Sequence, residues 1–296
     1  MSPSVSGRTV LVTGAARGIG AETARMLADR GARLVLTDLD QEPLDKLAAE
    51  LGDDVLTVAC DVCDLTAMEA AAAAAVERFG GIDVVVANAG IASYGSVMTV
   101  DPAVFKRVVD VNVLGVFHTV RATLPHLLER QGYILVVSSL AAFGAMPGLA
   151  AYNASKAGVE HFANALRLEL AHQGVAVGCA HMSWIDTPLV QDARADLSAF
   201  DRMIAKLPPP LNRTATVESC AAGFVKGIEG RRRHVYVPGW VGAVAKARTL
   251  VNSSLGERAA LKNTPELLPL MDDEVRRLGR STSARNVALE DRSVEP

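Results

Sequence analysis

Short apolar runs rich in Val, Ile and Leu return along most of this chain, separated by longer segments of helical period. The runs are Thr9–Val12, Arg33–Thr37, Val55–Ala59, Val84–Ala87, Tyr133–Val137, Val175–Ala180 and Val235–Val237. Between them lie Gly18–Arg30, Glu42–Leu51, Ala67–Phe79, Val104–Glu129, Tyr152–His172 and Val217–Glu229. A strand that is apolar on both sides must be covered on both faces, and alternating strands and helices supply that cover. The pattern predicts an α/β fold with a doubly wound parallel sheet between two helical layers. The run Ala70–Ala75 reads as a helix lying close to the sheet, since alanine is the best helix former.

Composition narrows the classes. Half of the 296 residues are hydrophobic, enough for a sizeable core. A net charge of −3 and a pI near 6.1 argue against general nucleic-acid binding. Cys60 and Cys63 form a Cys-x-x-Cys, but no second pair or nearby histidine completes a zinc site, so no metal is expected. The start has no apolar signal core, and no run reaches the ~18 apolar residues of a membrane span, so a reduced, cytoplasmic protein is expected.

The first strand runs into Thr13-Gly14-Ala15-Ala16-Arg17-Gly18-Ile19-Gly20, which opens the first helix. Glycines there permit a tight turn, close approach to a pyrophosphate, and close helix–strand packing, with phosphates on the helix's free N–H groups. Asp38 closes the second strand, where a carboxylate can bind the adenosine ribose hydroxyls. That carboxylate repels a 2′-phosphate and favours NAD over NADP. Arg17 pulls the other way, but Leu39 rather than a second arginine follows Asp38, so NAD is favoured.

Tyr152 and Lys156 sit one turn apart on one helix face. An ammonium beside a phenol favours the phenolate, so the tyrosine's pKa is expected to fall from about 10 toward a range useful for acid–base work. Upstream, Ser139 offers a hydroxyl that could hold a substrate oxygen beside the phenol.

With these residues the chain resembles the short-chain dehydrogenase/reductase family, from about Gly7 to Pro238. The matches are the turn Thr13 to Gly20, Asp61, Asn88-Ala89-Gly90, Asn112, Ser139, and Tyr152 with Lys156. The resemblance implies a Rossmann-type domain over 1–238 and hydride transfer between a nicotinamide cofactor and a secondary alcohol or ketone, or an alcohol and aldehyde. In that reading Tyr152 exchanges a proton with the substrate oxygen and Ser139 hydrogen-bonds it. Lys156 holds the nicotinamide ribose, and Asn112 orders a water leading from the lysine to solvent. The implied cofactor contacts are Gly14, Arg17, Gly18, Ile19, Gly20, Asp38, Asp61, Val62, Asn88, Ala89, Gly90, Tyr152, Lys156, Ile185 and Thr187. Standing alone, Asn112 could satisfy backbone groups within a helix, and Ser138 or Ser139 could finish a strand. The alternative reading of the whole is a non-catalytic NAD(P)-binding redox sensor, against which the intact proton-transfer set weighs.

One segment departs from the family: Met182-Ser183 replaces its usual Pro-Gly, which puts cofactor seating there in question. His181 reads as a strand-end histidine rather than a base. The family's substrate lid falls on 188–212, apolar through Leu189, Leu197, Phe200, Met203, Ile204 and Leu207. This suits a hydrophobic substrate, or simple packing of the lid on the body. The resemblance also implies a homodimer or homotetramer built through Val104–Glu129 and Tyr152–His172.

Residues 239–296 form a helical extension. From Arg231 to Lys262 there are seven basic residues and one acid, with Trp240, Val244, Ala247, Val251 and Leu255 at helical spacing. Such a helix can lie on an anionic membrane surface or pack its stripe on the body. A second helix is expected from Thr264-Pro265-Glu266, with the stripe Leu267, Met271, Val275 and Leu278, and disorder after about Arg280.

Overall fold

The computed structural model describes residues 4–294; residues 1–3 and the last two of the expected disordered tail lie outside. Among the described residues, the strands are β1 (Thr9–Thr13), β2 (Arg33–Asp38), β3 (Val55–Ala59), β4 (Val84–Ala87), β5 (Tyr133–Val137), β6 (Ala176–Met182) and β7 (His234–Val237). They form one parallel sheet in the order β3-β2-β1-β4-β5-β6-β7. The helices are α1 (Gly18–Ala28), α2 (Gln41–Leu51), α3 (Leu65–Phe79), α4 (Pro102–Val109), α5 (Gly115–Arg130), α6 (Ala150–Leu170) and α7 (Pro188–Asp196). They continue as α8 (Ser198–Ala205), α9 (Val217–Glu229), α10 (Val241–Lys246), α11 (Arg248–Val251), α12 (Arg258–Leu278) and α13 (Ala284–Val294).

Successive side chains of a strand point to opposite faces. Val10, Val12, Leu34, Leu36, Val84 and Val86 meet α1, α2 and α9 on one face. Leu11, Val35, Val85, Ile134 and Val136 meet α3, α5 and α6 on the other. Hence the strands read as unbroken apolar runs. The alanine-rich α3 starts where the Asp64 carboxylate accepts the N–H groups of Thr66 and Ala67, and ends at left-handed Gly80. Its Ala71, Ala72 and Ala75 lie buried against the sheet, as expected. Strand order reverses between β1 and β4, and there the crevice opens at the carboxyl ends of the strands.

The helix expected over Val104–Glu129 is interrupted. A π-helical turn, Asp110–Leu114, separates α4 from α5. Just beyond it, Gly115 lets the helix close on Val62: a Cβ there would lie 2.5 Å from Val62 Cγ2.

The extension differs more. The stripe from Trp240 to Leu255 is no single helix: Ala247 leaves helical geometry between α10 and α11, and Leu255 is exposed. Glycines at 239, 242 and 256 and the Ser253 hydroxyl, which donates to Leu250 O at 2.6 Å, compete with a continuous helix. The second stripe does bury Leu267, Met271 and Val275, but α12 begins at Arg258, about two turns before Pro265. The expectation of disorder after Arg280 fails: Ser281, Thr282 and Ser283 are buried, and the chain continues as α13. Their polar composition hid the long-range partners described below. The lid helices and α12 share a third apolar cluster, in which Leu197, Phe200 and Ile204 pack with Met271 and Val275. Among the described residues, no helix is long and apolar enough to cross a membrane.

Candidate active site

The turn after β1 is locked to the one after β4. Thr13 Oγ1 accepts the N–H groups of Asn88 and Ala89, both at 3.1 Å, and Asn88 Nδ2 donates to Thr13 O at 2.9 Å and Gly14 O at 3.0 Å. Glycine is required here: Gly14 has φ +64°, and a Cβ on it would lie 2.8 Å from Ala89 Cα. A Cβ on Gly20 would lie 2.2 Å from Gly14 O. Arg17, at the start of α1, makes no side-chain cap, so it closes nothing over the first-turn N–H groups.

Asp38 Oδ2 accepts the Ala16 N–H at 3.0 Å and Oδ1 that of Asp40 at 3.3 Å. Burial raises its pKa above the usual carboxylate value, opposed by these bonds and by Arg17. Arg17 Nη2 is itself held by Asp40 Oδ2 at 2.7 Å. Asp61 accepts from Cys63 N and from Arg107 Nη2, each at 2.9 Å.

Asn112 stands on the π-turn, fully buried. Its Oδ1 accepts the Ile91 N–H at 2.9 Å, and Nδ2 donates to Ile91 O and to Ser155 Oγ, both at 2.9 Å. It thus ties the segment after β4 to α6. It satisfies backbone groups, and it stands behind Gly90 near Lys156: a Cβ on Gly90 would lie 3.2 Å from Asn112 Oδ1 and 3.3 Å from Lys156 Nζ.

Lys156 is buried and donates from Nζ to Val137 O at 3.1 Å; desolvation pushes its pKa down to about 8. The Tyr152 ring is partly accessible from the pocket, but its phenol is enclosed. Burial there raises the pKa, while the hydrogen bond with Ser139 pulls it down. The expected fall driven by Lys156 is therefore corrected: in the protein alone, loss of hydration dominates, and the influence opposing it is the Ser139 hydrogen bond. Ser139 Oγ also accepts the Ala141 N–H at 3.2 Å, beginning the turn that follows β5.

The Met182-Ser183 departure has a physical account. Strand β6 runs on through Met182, paired with Val237, and Ser183 N donates to Val237 O at 2.9 Å. The Ser183 hydroxyl is buried without a partner. Past it, Thr187 N donates to Ile185 O at 2.7 Å, and a Cβ on Gly18 would lie 3.6 Å from Thr187 Cγ2, which brings the two ends of the predicted cofactor set together. One pocket of about 560 Å³ is lined by Gly14, Asp38, Asp61, Asn88, Ser139, Tyr152, Lys156 and Thr187. Gly20 and Asn112 stand behind its walls through the contacts already given.

A family model described as short chain dehydrogenase matches residues 8–198. The chain belongs to this family. Among its relatives, 2-(R)-hydroxypropyl-CoM dehydrogenase of Xanthobacter autotrophicus is 35% identical over 228 residues, 74% of this chain and 91% of that protein. Cis-4-hydroxycyclohexanecarboxylate dehydrogenase of Sinomonas cyclohexanicum is 36% identical over 238 residues, 77% of this chain and 95% of that protein. The crystal structure of a 3-ketoacyl-(acyl-carrier-protein) reductase from Brucella melitensis, complexed with NADH, superposes with a TM-score of 0.72 at 31% identity. It covers 79% of this chain and 98% of its own.

In this short-chain dehydrogenase the residues present fit a dinucleotide. Gly14 and Gly20 of the cradle have no room for a side chain, and Asp38 and Asp61 line the same pocket as the unpartnered Ser183. His181 takes no part. It is buried, stacked on Phe143 at 4.5 Å, absent from the pocket wall, and its pKa is pushed by burial down to about 3. At neutral pH the ring is uncharged, so its 3.7 Å approach to Glu160 is not an ion pair. The cysteines are free thiols, and no metal-binding cluster occurs among the described residues. Sequence reasoning missed the pocket residues of the extension, among them Val244, Val251, Ser283, Asn286 and Leu289. They lie beyond the family's motifs; Val244 and Val251 stood out only as part of an apolar stripe, and nothing in the local pattern of Ser283, Asn286 and Leu289 marks them.

Proposed function

We propose that this protein is a nicotinamide-dependent oxidoreductase that interconverts a secondary alcohol and a ketone, or an alcohol and an aldehyde. The observation that carries this is the convergence of Ser139, Tyr152 and Lys156, with Asn112 behind them, on one wall of a pocket whose other end is the glycine cradle. When bound, the cofactor supplies or accepts the hydride. Tyr152 keeps its proton through neutral pH and gives it to the carbonyl oxygen; in the other direction it takes the hydroxyl proton. Ser139 hydrogen-bonds that oxygen and stabilises the charge developing on it. Lys156, fixed by Val137, holds the ribose side and favours the phenolate as it forms.

NAD is the favoured cofactor. Asp38 is held in place by two backbone N–H groups, and Arg17, the cation that would meet a 2′-phosphate, is engaged by Asp40. The substrate is a small molecule with an apolar body, because Met146, Leu149, Trp184, Leu189, Phe200 and Leu207 wall the rest of the pocket. The named relatives act on hydroxylated compounds, which supports the reaction class. Exposed Leu114, Phe117 and Leu168 on α5, the turn before it and α6 support self-association through those helices, to be read by sedimentation. A second reading rests on exposed Leu250, Leu255 and Leu261 among Arg248, Arg258 and Lys262: contact with an anionic membrane surface. Liposome co-sedimentation tests it; no pelleting sinks it.

The test of function is turnover with NAD, NADP and their reduced forms against a panel of small and hydrophobic alcohols and ketones, with Tyr152→Phe protein as the blank. Activity lost in the variant supports the reading. Cofactor binding without any turnover favours a redox sensor instead.

A further inference from the structure

The lid does not close the pocket alone. Ser283, Asn286 and Leu289, from the C-terminal extension, line the same cavity as Tyr152 and Trp184. The reach of these residues is built into the fold. Arg280 grips Asp196, at the end of lid helix α7, with Nη1 on Oδ2 and Nη2 on Oδ1, both at 2.7 Å. Tyr94 Oη adds a 3.3 Å bond to Asp196 Oδ2. Such a two-pronged charged pair fixes orientation as well as distance.

The next residues continue the attachment. Tyr94 N donates to Ser281 O at 2.8 Å, and the buried Thr282 donates from Oγ1 to Ala92 O at 2.9 Å. Thr282 Oγ1 in turn accepts from Asn286 Nδ2 at 2.8 Å, which sets the direction of that amide on the first turn of α13. Further back, the buried Glu274 of α12 accepts from Ser198 N at 3.2 Å and Ala199 N at 3.1 Å, capping the lid helix α8. Lid and extension are therefore tied together by the Arg280–Asp196 pair and the Glu274 cap.

We propose that Ser283–Leu289 is the far wall of the substrate pocket and sets the size of substrate accepted, with Asn286 and Leu289 as its specificity-determining side chains. This rests on the oxidoreductase reading above. The wall is mixed, with Ser283, Arg285 and Asn286 polar and Leu289 apolar. At the apolar position it discriminates by fit, and one methylene too many or too few in such a pocket changes kcat/KM by roughly 10–200-fold. Leu289 sets length, and Asn286 presents an amide beside Ser283 and Arg285.

The experiment compares wild type with Leu289→Ala, Leu289→Trp and Asn286→Ala across a homologous series of straight-chain and cyclic secondary alcohols. kcat/KM is measured for each alcohol with NAD, and the Kd of each alcohol is read by calorimetry with NAD in the Tyr152→Phe background, where turnover is lost. Leu289→Ala is expected to move the optimum toward longer or bulkier members by about tenfold or more, and Leu289→Trp toward smaller ones. Asn286→Ala should favour members with an apolar far end, and the Kd of NAD itself should not change. Profiles that superimpose on wild type in both Leu289 variants overturn the wall. If the series binds but wild type turns nothing over, the oxidoreductase reading falls while the Kd profile still decides the wall. Failure to bind any member overturns both.

Discussion

The Nζ of Lys156 lies over the face of the Tyr152 ring, 5.6 Å from its centre. The ammonium is thus held by a backbone carbonyl and an aromatic face. Because both side chains are enclosed, hydration loss keeps the phenol protonated and brings the lysine down to about 8. Tyr152→Phe keeps the ring beneath Lys156 and deletes the transferable proton. We expect kcat to fall by about 10²–10⁴-fold with the calorimetric Kd of the cofactor unchanged.

The Asn112 side chain satisfies both the N–H and the C=O of Ile91. In Asn112→Leu those groups lose their partner at the π-turn. Thermal or urea unfolding should show a loss of about 2–6 kcal/mol, from two unsatisfied groups at about 1–3 kcal/mol each. Activity should fall alongside, because Ser155 on the catalytic helix loses its donor.

Gly20→Ala forces a methyl to within 2.2 Å of Gly14 O, so the cradle must open. Cofactor affinity, read by calorimetry, should drop by about tenfold or more, with ~1–3 kcal/mol lost in stability. Gly239→Ala is the control: a Cβ there meets nothing within 4 Å, and affinity should be unchanged.

Ser183→Ala removes a buried hydroxyl that has no partner. Stability of the cofactor-free protein should stay level or rise by about 1 kcal/mol. The rise in Tm on adding cofactor should shrink if that hydroxyl serves the bound group; an unchanged rise refutes the contact.

His181 resists protonation down to about 3 when folded, whereas an unfolded histidine titrates near 6.5. Between those values only the unfolded chain binds the proton. Stability from this residue is therefore present above pH 6.5 and lost as pH falls through the window, by several kcal/mol as an order of magnitude. Urea midpoints at pH 7 and pH 4.5 should diverge less in His181→Leu than in wild type.

The sequence by itself determined the parallel sheet, the glycine turn and the pairing of Tyr152 with Lys156. Those depend on short-range geometry: side-chain alternation in a strand, helical period, and the room a glycine leaves. Where Met182-Ser183 replaces Pro-Gly, the sequence raised only the question of cofactor seating, and the bond from Ser183 N to Val237 O belongs to the tertiary pairing of β6 with β7. Tertiary structure alone decided the rest. The π-turn that seats Asn112 rests on contacts with Ile91 and Ser155, and the direction of the Tyr152 shift rests on burial rather than on spacing. The far wall of the pocket came from Arg280–Leu289, whose polar composition suggested a loose end. Its order comes from Asp196, 84 residues away in the chain, and from Ala92, 190 residues away. Such partners have no local signature, because only the closed fold brings those charges and carbonyls within bonding distance.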